Sequence, residues 1–469
     1  MGNILVLGVG PLPPDGGKRL YAPGLRTWHM ARMLVRAGHH VTIGVIEFGD
    51  FAGGEHGPFK PRREEAGHNI VICRLRYHER DTASALATLH VGSRFSCLVS
   101  TTDIMNAVAA AVPFHVPLWL DYNGDPFAEK QLQGELFGND ATLFGQWKLM
   151  LPGLLAGDRF STASRPQKWA LIGQLGFAGR LNQFTAGEEL VHAMPNCSRA
   201  MLDVGQPSPR MFKGRLIPAD SIMILWSGGY NTWCDPRTLF HGLEAAMRKN
   251  SRIFFISTGG EISGHNTSSF TQFRELVEGS DLQSRFILTG WRPLDEIPSY
   301  FREADAAIVA DRPCYEGELG ARTRINDWIL HELPVITTSI SETNARLARE
   351  GLVTEYEPGN SDSLAAAIIE VAADLASAKA AARRAKEFFD NEYGERKVFE
   401  PLLTWADQPV FAGDRRESHK NVPLSAHERV DCALARIHIE QLARAGHARH
   451  GTARQSFMQR LFGAGRHKT

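Results

Sequence analysis

Short runs of consecutive apolar residues alternate along this chain with longer stretches whose apolar positions recur every three or four residues. Residues 4–7 form the first such run, followed by a loop rich in proline and glycine from Gly8 to Gly17. Leu25, Trp28, Met30 and Leu34 then mark one face of a helix predicted over residues 25–37. Gly38 ends that helix, and residues 41–46 read as the next strand. Further strands are predicted at 70–74, 97–100, 117–120 and 159–162. Strands that are apolar throughout and separated by helices belong to a parallel sheet covered on both faces.

The pattern then restarts. Residues 221–227 read as a strand, and 236–249 as a helix with proline in its first turn. Strands at 253–257, 286–289, 306–310 and 334–337 follow, with helices between them. Two complete β/α series predict two Rossmann-like domains, residues 1–200 and 215–405. The boundary is expected between 194 and 218, a stretch with four prolines and weak periodicity. The last segment, 412–469, differs: it has eleven Lys/Arg against five Asp/Glu, and six histidines. It reads as a basic helical tail, with one helix expected over 424–445. Its plain reading is a solvated helix with a frayed end. The alternative is a peripheral contact with anionic lipid or a lipid-linked substrate.

Composition narrows the class. The chain has 469 residues, 43% hydrophobic and 22% charged, and 52 basic side chains balance 52 acidic ones. No overall field points to nucleic acid. Six scattered cysteines, none in a Cys-x-x-Cys pair, fit a reducing compartment. No secretory signal and no membrane-spanning run is evident, so a cytoplasmic location is expected, with any membrane contact peripheral.

Three loops carry the candidate chemistry. The first begins like a dinucleotide fingerprint, but Pro13 stands where the third glycine belongs, and a proline has no N–H for a pyrophosphate. Gly16 and Gly17 still allow close backbone approach to a phosphate, with Lys18 beside them, or they simply turn the chain. The second loop, Ser227-Gly228-Gly229-Tyr230-Asn231-Thr232-Trp233, follows the strand that opens the second domain. There, open α/β sheets bind ligands. Gly228 and Gly229 leave room for a diphosphate, and Tyr230 and Trp233 are placed to stack on a sugar. Trp233 packing across the domain interface is the competing reading.

The third loop runs from Asp311 to Gly320, and a helix is expected from about Ala321. The N–H groups at its start would face the crevice. Arg322 and Arg324 lie in the first turn, where acids are the usual choice, so they point to an anionic ligand. Glu318 is placed to accept from sugar hydroxyls, and Asp327 from ribose. Surface salt bridges are the bland alternative.

This third loop resembles glycosyltransferase family 4, whose members are retaining enzymes of the GT-B architecture. The likeness rests on Glu318, Gly320, Asp327 and Leu333-Pro334-Val335-Ile336, on Pro13 to Gly17, on Gly38-His39-His40-Val41-Thr42, and on Phe286 to Trp291 with the helix after it. It covers about residues 3–405. It implies an α/β fold of the GT-B type: two Rossmann-like domains facing across a cleft. It also implies a nucleotide diphosphate sugar as donor, held by the second domain at Gly228, Gly229, Tyr230, Asn231, Glu316, Gly320 and Asp327. Glu318, Arg322, Arg324 and Asp121 are the expected catalytic group. The acceptor, a glycan, a lipid-linked group or a small molecule, is expected near Gly16, Gly17, Lys18 and Asp125. Departures are visible. Asp327 replaces the family's usual Glu, its spacing from Glu318 is one residue longer, and the usual Arg and Lys of the second loop are absent. Asp121 to Asp125 stand where members often place a histidine, and Asp125 capping a turn is the plain alternative.

The implied reaction is glycosyl transfer with departure of a nucleoside diphosphate, stabilised by N–H groups and arginines. No cofactor and no metal are expected, since no Asp-x-Asp stands at a strand end. A nucleotide-sugar epimerase and a catalytically weak nucleotide-sugar-binding scaffold remain the alternatives.

Overall fold

The computed structural model describes residues 1–15, 20–47, 62–66, 69–75, 79–197, 210–262 and 266–416. The first domain runs β1 (Asn3–Gly10), α1 (Ala22–Arg36), β2 (His40–Glu47), β3 (Arg62–Glu65), β4 (Ile70–Leu75), α2 (Glu79–Ser93), β5 (Cys97–Thr101) and α3 (Asp103–Ala110). It continues with β6 (Leu118–Tyr122), α4 (Pro126–Phe137), α5 (Ala141–Ala156), β7 (Arg159–Thr162), α6 (Arg165–Phe177) and β8 (Val191–Ala193). Its sheet has the order β3-β4-β2-β1-β5-β6-β7-β8, parallel throughout except for β3, which pairs antiparallel with β4. Strand order reverses between β1 and β5, so the crevice of this sheet opens at their carboxyl ends.

The second domain runs β9 (Ile222–Ser227), α7 (Pro236–Lys249), β10 (Ile253–Thr258), α8 (Ser268–Glu278), β11 (Phe286–Gly290), α9 (Ile297–Glu303) and β12 (Ala306–Ile308). Then come α10 (Tyr315–Leu319), α11 (Thr323–Leu330), β13 (Val335–Thr337), α12 (Glu342–Arg349), β14 (Thr354–Glu355) and α13 (Ser361–Ala373). Its sheet, β11-β10-β9-β12-β13-β14, is wholly parallel, and its order reverses between β9 and β12. The first and last strands of the prediction survive with small shifts, because strands buried on both faces, such as β9, are continuous apolar runs. Helix α7 matches its predicted bounds: Asp235 accepts from the Thr238 N–H at 3.0 Å and Pro236 occupies the first turn.

Two final helices, α14 (Leu375–Glu392) and α15 (Glu395–Asp407), carry the chain back to the first domain. Phe399, Leu402 and Trp405 of α15 are buried in one continuous cluster with Met30 and Leu34 of α1 and Trp328 of α11. Full burial of side chains of this size stabilises by roughly 1.5–3 kcal/mol each, so this helix is a strong tie between the domains. His29 on α1 and Glu395 add a 2.8 Å contact. Closer to the cleft, Ser164 Oγ donates to the Leu319 carbonyl at 2.5 Å, Asn326 Nδ2 to the Asn196 carbonyl at 2.5 Å, and Arg312 pairs with Glu135 at 2.6 Å. No described helix is long and apolar enough to cross a membrane. The middle of the expected boundary, 198–209, and the tail beyond Arg416 lie outside the described residues.

Candidate active site in the interdomain crevice

At the end of β9 the backbone turns through Gly228, whose φ of +95° suits glycine. The turn is tightly packed from above: a Cβ on Gly259 would lie 2.1 Å from the Gly228 carbonyl oxygen, and one on Gly229 would lie 2.5 Å from Ile262. The loops after β9 and β12 are zipped together. The Asp235 N–H donates to the Ala310 carbonyl at 2.9 Å and the Arg312 N–H to the Trp233 carbonyl at 2.9 Å. Helix α11 is fixed beside them, because Trp328 Nε1 donates to Ser227 Oγ at 2.9 Å.

One turn before Trp328 on the same helix, Arg324 reaches under this glycine turn. Its Nη2 donates to the Gly229 carbonyl at 2.6 Å, and its guanidinium lies 4.5 Å from the centre of the Trp226 ring. Its Nη1 is sealed from solvent and has no hydrogen-bond partner among the described residues, although the residue as a whole is half-buried. Burial holds its pKa below the usual arginine range. No carboxylate among the described residues forms a salt bridge with it. A cation left this way at a strand-to-helix crevice is suited to an anion supplied from outside.

Arg322, two residues earlier, is placed quite differently. It forms the N-cap of α11 and folds back, with Nε donating to Asp311 at 2.5 Å and Nη1 and Nη2 to Glu316 at 3.1 and 2.7 Å. Its guanidinium also lies 4.8 Å from the Trp233 ring centre. The expectation that Arg322 meets the ligand directly is therefore corrected: its donors are spent on two buried carboxylates. Burial pushes Glu316 up to about 7, against the pull of Arg322. The trio joins α10, the β12 loop and α11, and so holds α10 between the domains, where Leu319 meets Ser164. Gly320 ends α10, and a Cβ there would lie 2.6 Å from the Glu316 carbonyl oxygen.

The remaining expected residues fall into several groups. Glu318 is exposed on α10, unlike buried Glu316. Asp327 is half-buried on α11 and its carbonyl accepts from His331 Nδ1 at 2.7 Å. Asn231 is half-buried, and its carbonyl accepts from the Cys234 N–H at 3.0 Å and Ser269 Oγ at 3.1 Å. Tyr230 does not face a ligand. It is fully buried, stacked on Trp226 at 4.5 Å and hydrogen-bonded to Ser257 at 2.9 Å, because its apolar ring completes the core beside β9. Gly16, Gly17 and Lys18 lie outside the described residues.

On the first domain both candidate acids are engaged. Asp121 is fully buried and accepts from Arg26 Nε at 3.1 Å, Arg26 Nη2 at 2.8 Å and Ser161 Oγ at 2.5 Å. A carboxylate enclosed in this way has no access to an acceptor hydroxyl, so its assigned role is corrected to a structural one. Asp125 caps α4, accepting from the Phe127 and Ala128 N–H groups at 3.0 and 2.9 Å and from Gln174 at 3.1 Å. That is the plain alternative foreseen for it. Two features escaped sequence reasoning. Arg26 carries no motif that would single it out within an amphipathic helix. Thr102, at the end of β5, is held at φ +75°, ψ 153°, a strained backbone for a β-branched residue.

Residues 224–374 match the family model described as glycosyl transferases group 1. The second domain is a glycosyltransferase domain. No curated protein matches the sequence. Among solved structures, sucrose-phosphate synthase from Thermosynechococcus elongatus is similar with a TM-score of 0.65 and 16% identity, over 87% of this chain and 99% of that one. Anabaena Alr3699/HepE, solved in complex with UDP and glucose, is similar with a TM-score of 0.60 and 14% identity, over 87% and 100% of the two chains. An alpha,alpha-trehalose-phosphate synthase (UDP-forming) from Burkholderia vietnamiensis gives 0.61 and 10%, over 87% and 100%. Identities this low speak for the fold, and the fold is GT-B.

Proposed function

We propose that this glycosyltransferase moves a sugar from a nucleotide diphosphate sugar to an acceptor hydroxyl. The observation that carries the reading is Arg324, a crevice cation beneath the Gly228–Gly229 turn with one nitrogen unpaired. In the reaction the bond between the anomeric carbon and the β-phosphate oxygen breaks, and charge grows on the departing diphosphate. Arg324 and the N–H groups opening α11, which has no side-chain cap, are suited to receive that charge. The acceptor oxygen forms the new bond to the anomeric carbon and loses its proton. Asp121 and Asp125 are both engaged, so the reading assigns that proton to an oxygen of the departing diphosphate. Such same-side attack retains anomeric configuration, as the resemblance to family 4 implies. The reaction is proposed to need no metal. A uridine diphosphate sugar is the first donor to test, because Alr3699/HepE was solved with UDP and the trehalose-phosphate synthase is UDP-forming.

The test is incubation with labelled UDP-, GDP- and ADP-sugars, with and without sugar, lipid and phenolic acceptors, and with chelator present throughout. Release of one nucleoside diphosphate and transfer of label support the reading. Tight nucleotide binding without turnover in any combination would replace it with the binding scaffold.

A further inference from the structure

Helix α11 is gripped on two opposite sides. Successive residues advance about 100° around a helix, so Arg324 and Trp328, four apart, share one side, and Thr323 and Asn326, three apart, share another. The first side faces its own domain, where Arg324 meets the Gly229 carbonyl and Trp328 meets Ser227. The second side faces the first domain. Asn326 is 6% exposed and its Nδ2 donates to the Asn196 carbonyl at 2.5 Å, while Asn196 Nδ2 donates to Thr323 Oγ1 at 3.4 Å. Arg324 and Asn326, two residues apart, therefore point about 200° away from each other.

Asn196 is itself held from behind. It follows β8, and its side-chain oxygen and the Pro195 carbonyl lie 3.5 and 3.4 Å from Arg26 Nη1. Arg26 is locked in turn by its two-point pair with Asp121, and both residues are buried. The opening turn of α11 draws on this support because it has little of its own. Arg322 stands at its N-cap, no side chain caps the turn, and the Arg322 guanidinium turns away to Asp311 and Glu316. The other close contacts beside the cleft do not reach this helix. Arg312 pairs with Glu135 at the rim, and Ser164 meets the end of α10. Asn326 sits on the helix that carries Arg324.

We infer that Asn326 is a positioning residue for the transfer reaction: it ties the opening turn of α11 to Asn196 of the first domain and so fixes where Arg324 aims its unpaired nitrogen. Asn326 acts through Arg324 and touches no substrate itself. The inference rests on the reading of Arg324 as the partner of the departing diphosphate. Charge on that leaving group is greatest in the transition state, and a cation displaced by about 1 Å meets it poorly, at a cost of up to about 100-fold in rate. The ground-state donor keeps its other contacts in the second domain, so binding suffers far less than turnover.

The test is steady-state kinetics of the full chain, with the donor identified among the labelled UDP-, GDP- and ADP-sugars, well below each variant's melting temperature. Asn326→Ala and Asn326→Leu both remove the N–H donor, and the second keeps the volume of the side chain. In each, kcat is expected to fall about 10- to 100-fold, with the donor KM within about twofold of the parent. Placed in an Arg324→Ala chain, the same substitutions are expected to lower kcat by less than about twofold, because the group they position is gone. A kcat close to the parent's in folded Asn326→Leu would overturn the inference. An equal loss with and without Arg324 would also overturn it, in favour of a purely structural tie. Parent-like turnover in Arg324→Ala itself would overturn the reading of Arg324 and this inference together, so the two failures are told apart.

Discussion

The two sheets present matching crevices, and their charged residues are treated in opposite ways. At the carboxyl ends of the first sheet, Asp121 and Asp125 are enclosed by Arg26, Ser161, Gln174 and two helix N–H groups. At the second, Arg322 is enclosed with Asp311 and Glu316, while Arg324 keeps a buried nitrogen without a partner. Among these described residues, Asp121, Asp125 and Arg322 build the crevice, while Arg324 keeps a nitrogen that no neighbour satisfies. The contrast teaches that position in a motif does not assign a role. The state of each group's partners does.

That contrast can be broken by substitution. Arg322→Ala leaves two buried carboxylates without their cation, so a loss of about 3–5 kcal/mol is expected, measured by urea unfolding. A loss under about 1 kcal/mol would place Arg322 with Arg324, as a group held for ligand. The next effect follows pH. Glu316 titrates near 7 when folded and near 4.5 when unfolded, so the folded state binds the extra proton between those values. Its contribution to stability is complete below about 4.5 and declines as pH rises to about 7, by an amount on the order of 3 kcal/mol. Glu316→Gln is expected to flatten that window in thermal melts taken across pH. An unchanged slope would show that Glu316 is already ionised within its trio. Asp125→Ala, which removes a cap, is expected to cost about 1 kcal/mol. A large loss of turnover with unchanged stability would instead return it to the acceptor site.

The alternation of β and α elements was legible because strands such as β9 are buried on both faces and read as unbroken apolar runs. The start of α7 was legible from Pro236 in its first turn. Helix α10 was not, since five residues in a loop of cysteine, glycine and proline carry no period. The strands that the second and third loops follow were legible, but the partnerships within those loops were not. Asp121 meets Arg26 across 95 positions, and Arg324 meets Gly229 across 95. Only the fold brings such pairs together. Tyr230 illustrates the same limit, because an aromatic beside two glycines suits a ligand platform and a core stack equally well in sequence.

The central claim is that Arg324, and not Arg322, receives the donor diphosphate. The most direct measurement compares Arg324→Ala with the parent chain, following nucleoside diphosphate release from the preferred sugar nucleotide and the melting temperature of the same samples. The account predicts a loss in kcat/KM of about 100- to 1,000-fold with the melting temperature held or raised, since a cation with a buried, unpartnered nitrogen has been removed. Turnover close to that of the parent, with the fold intact, would contradict it.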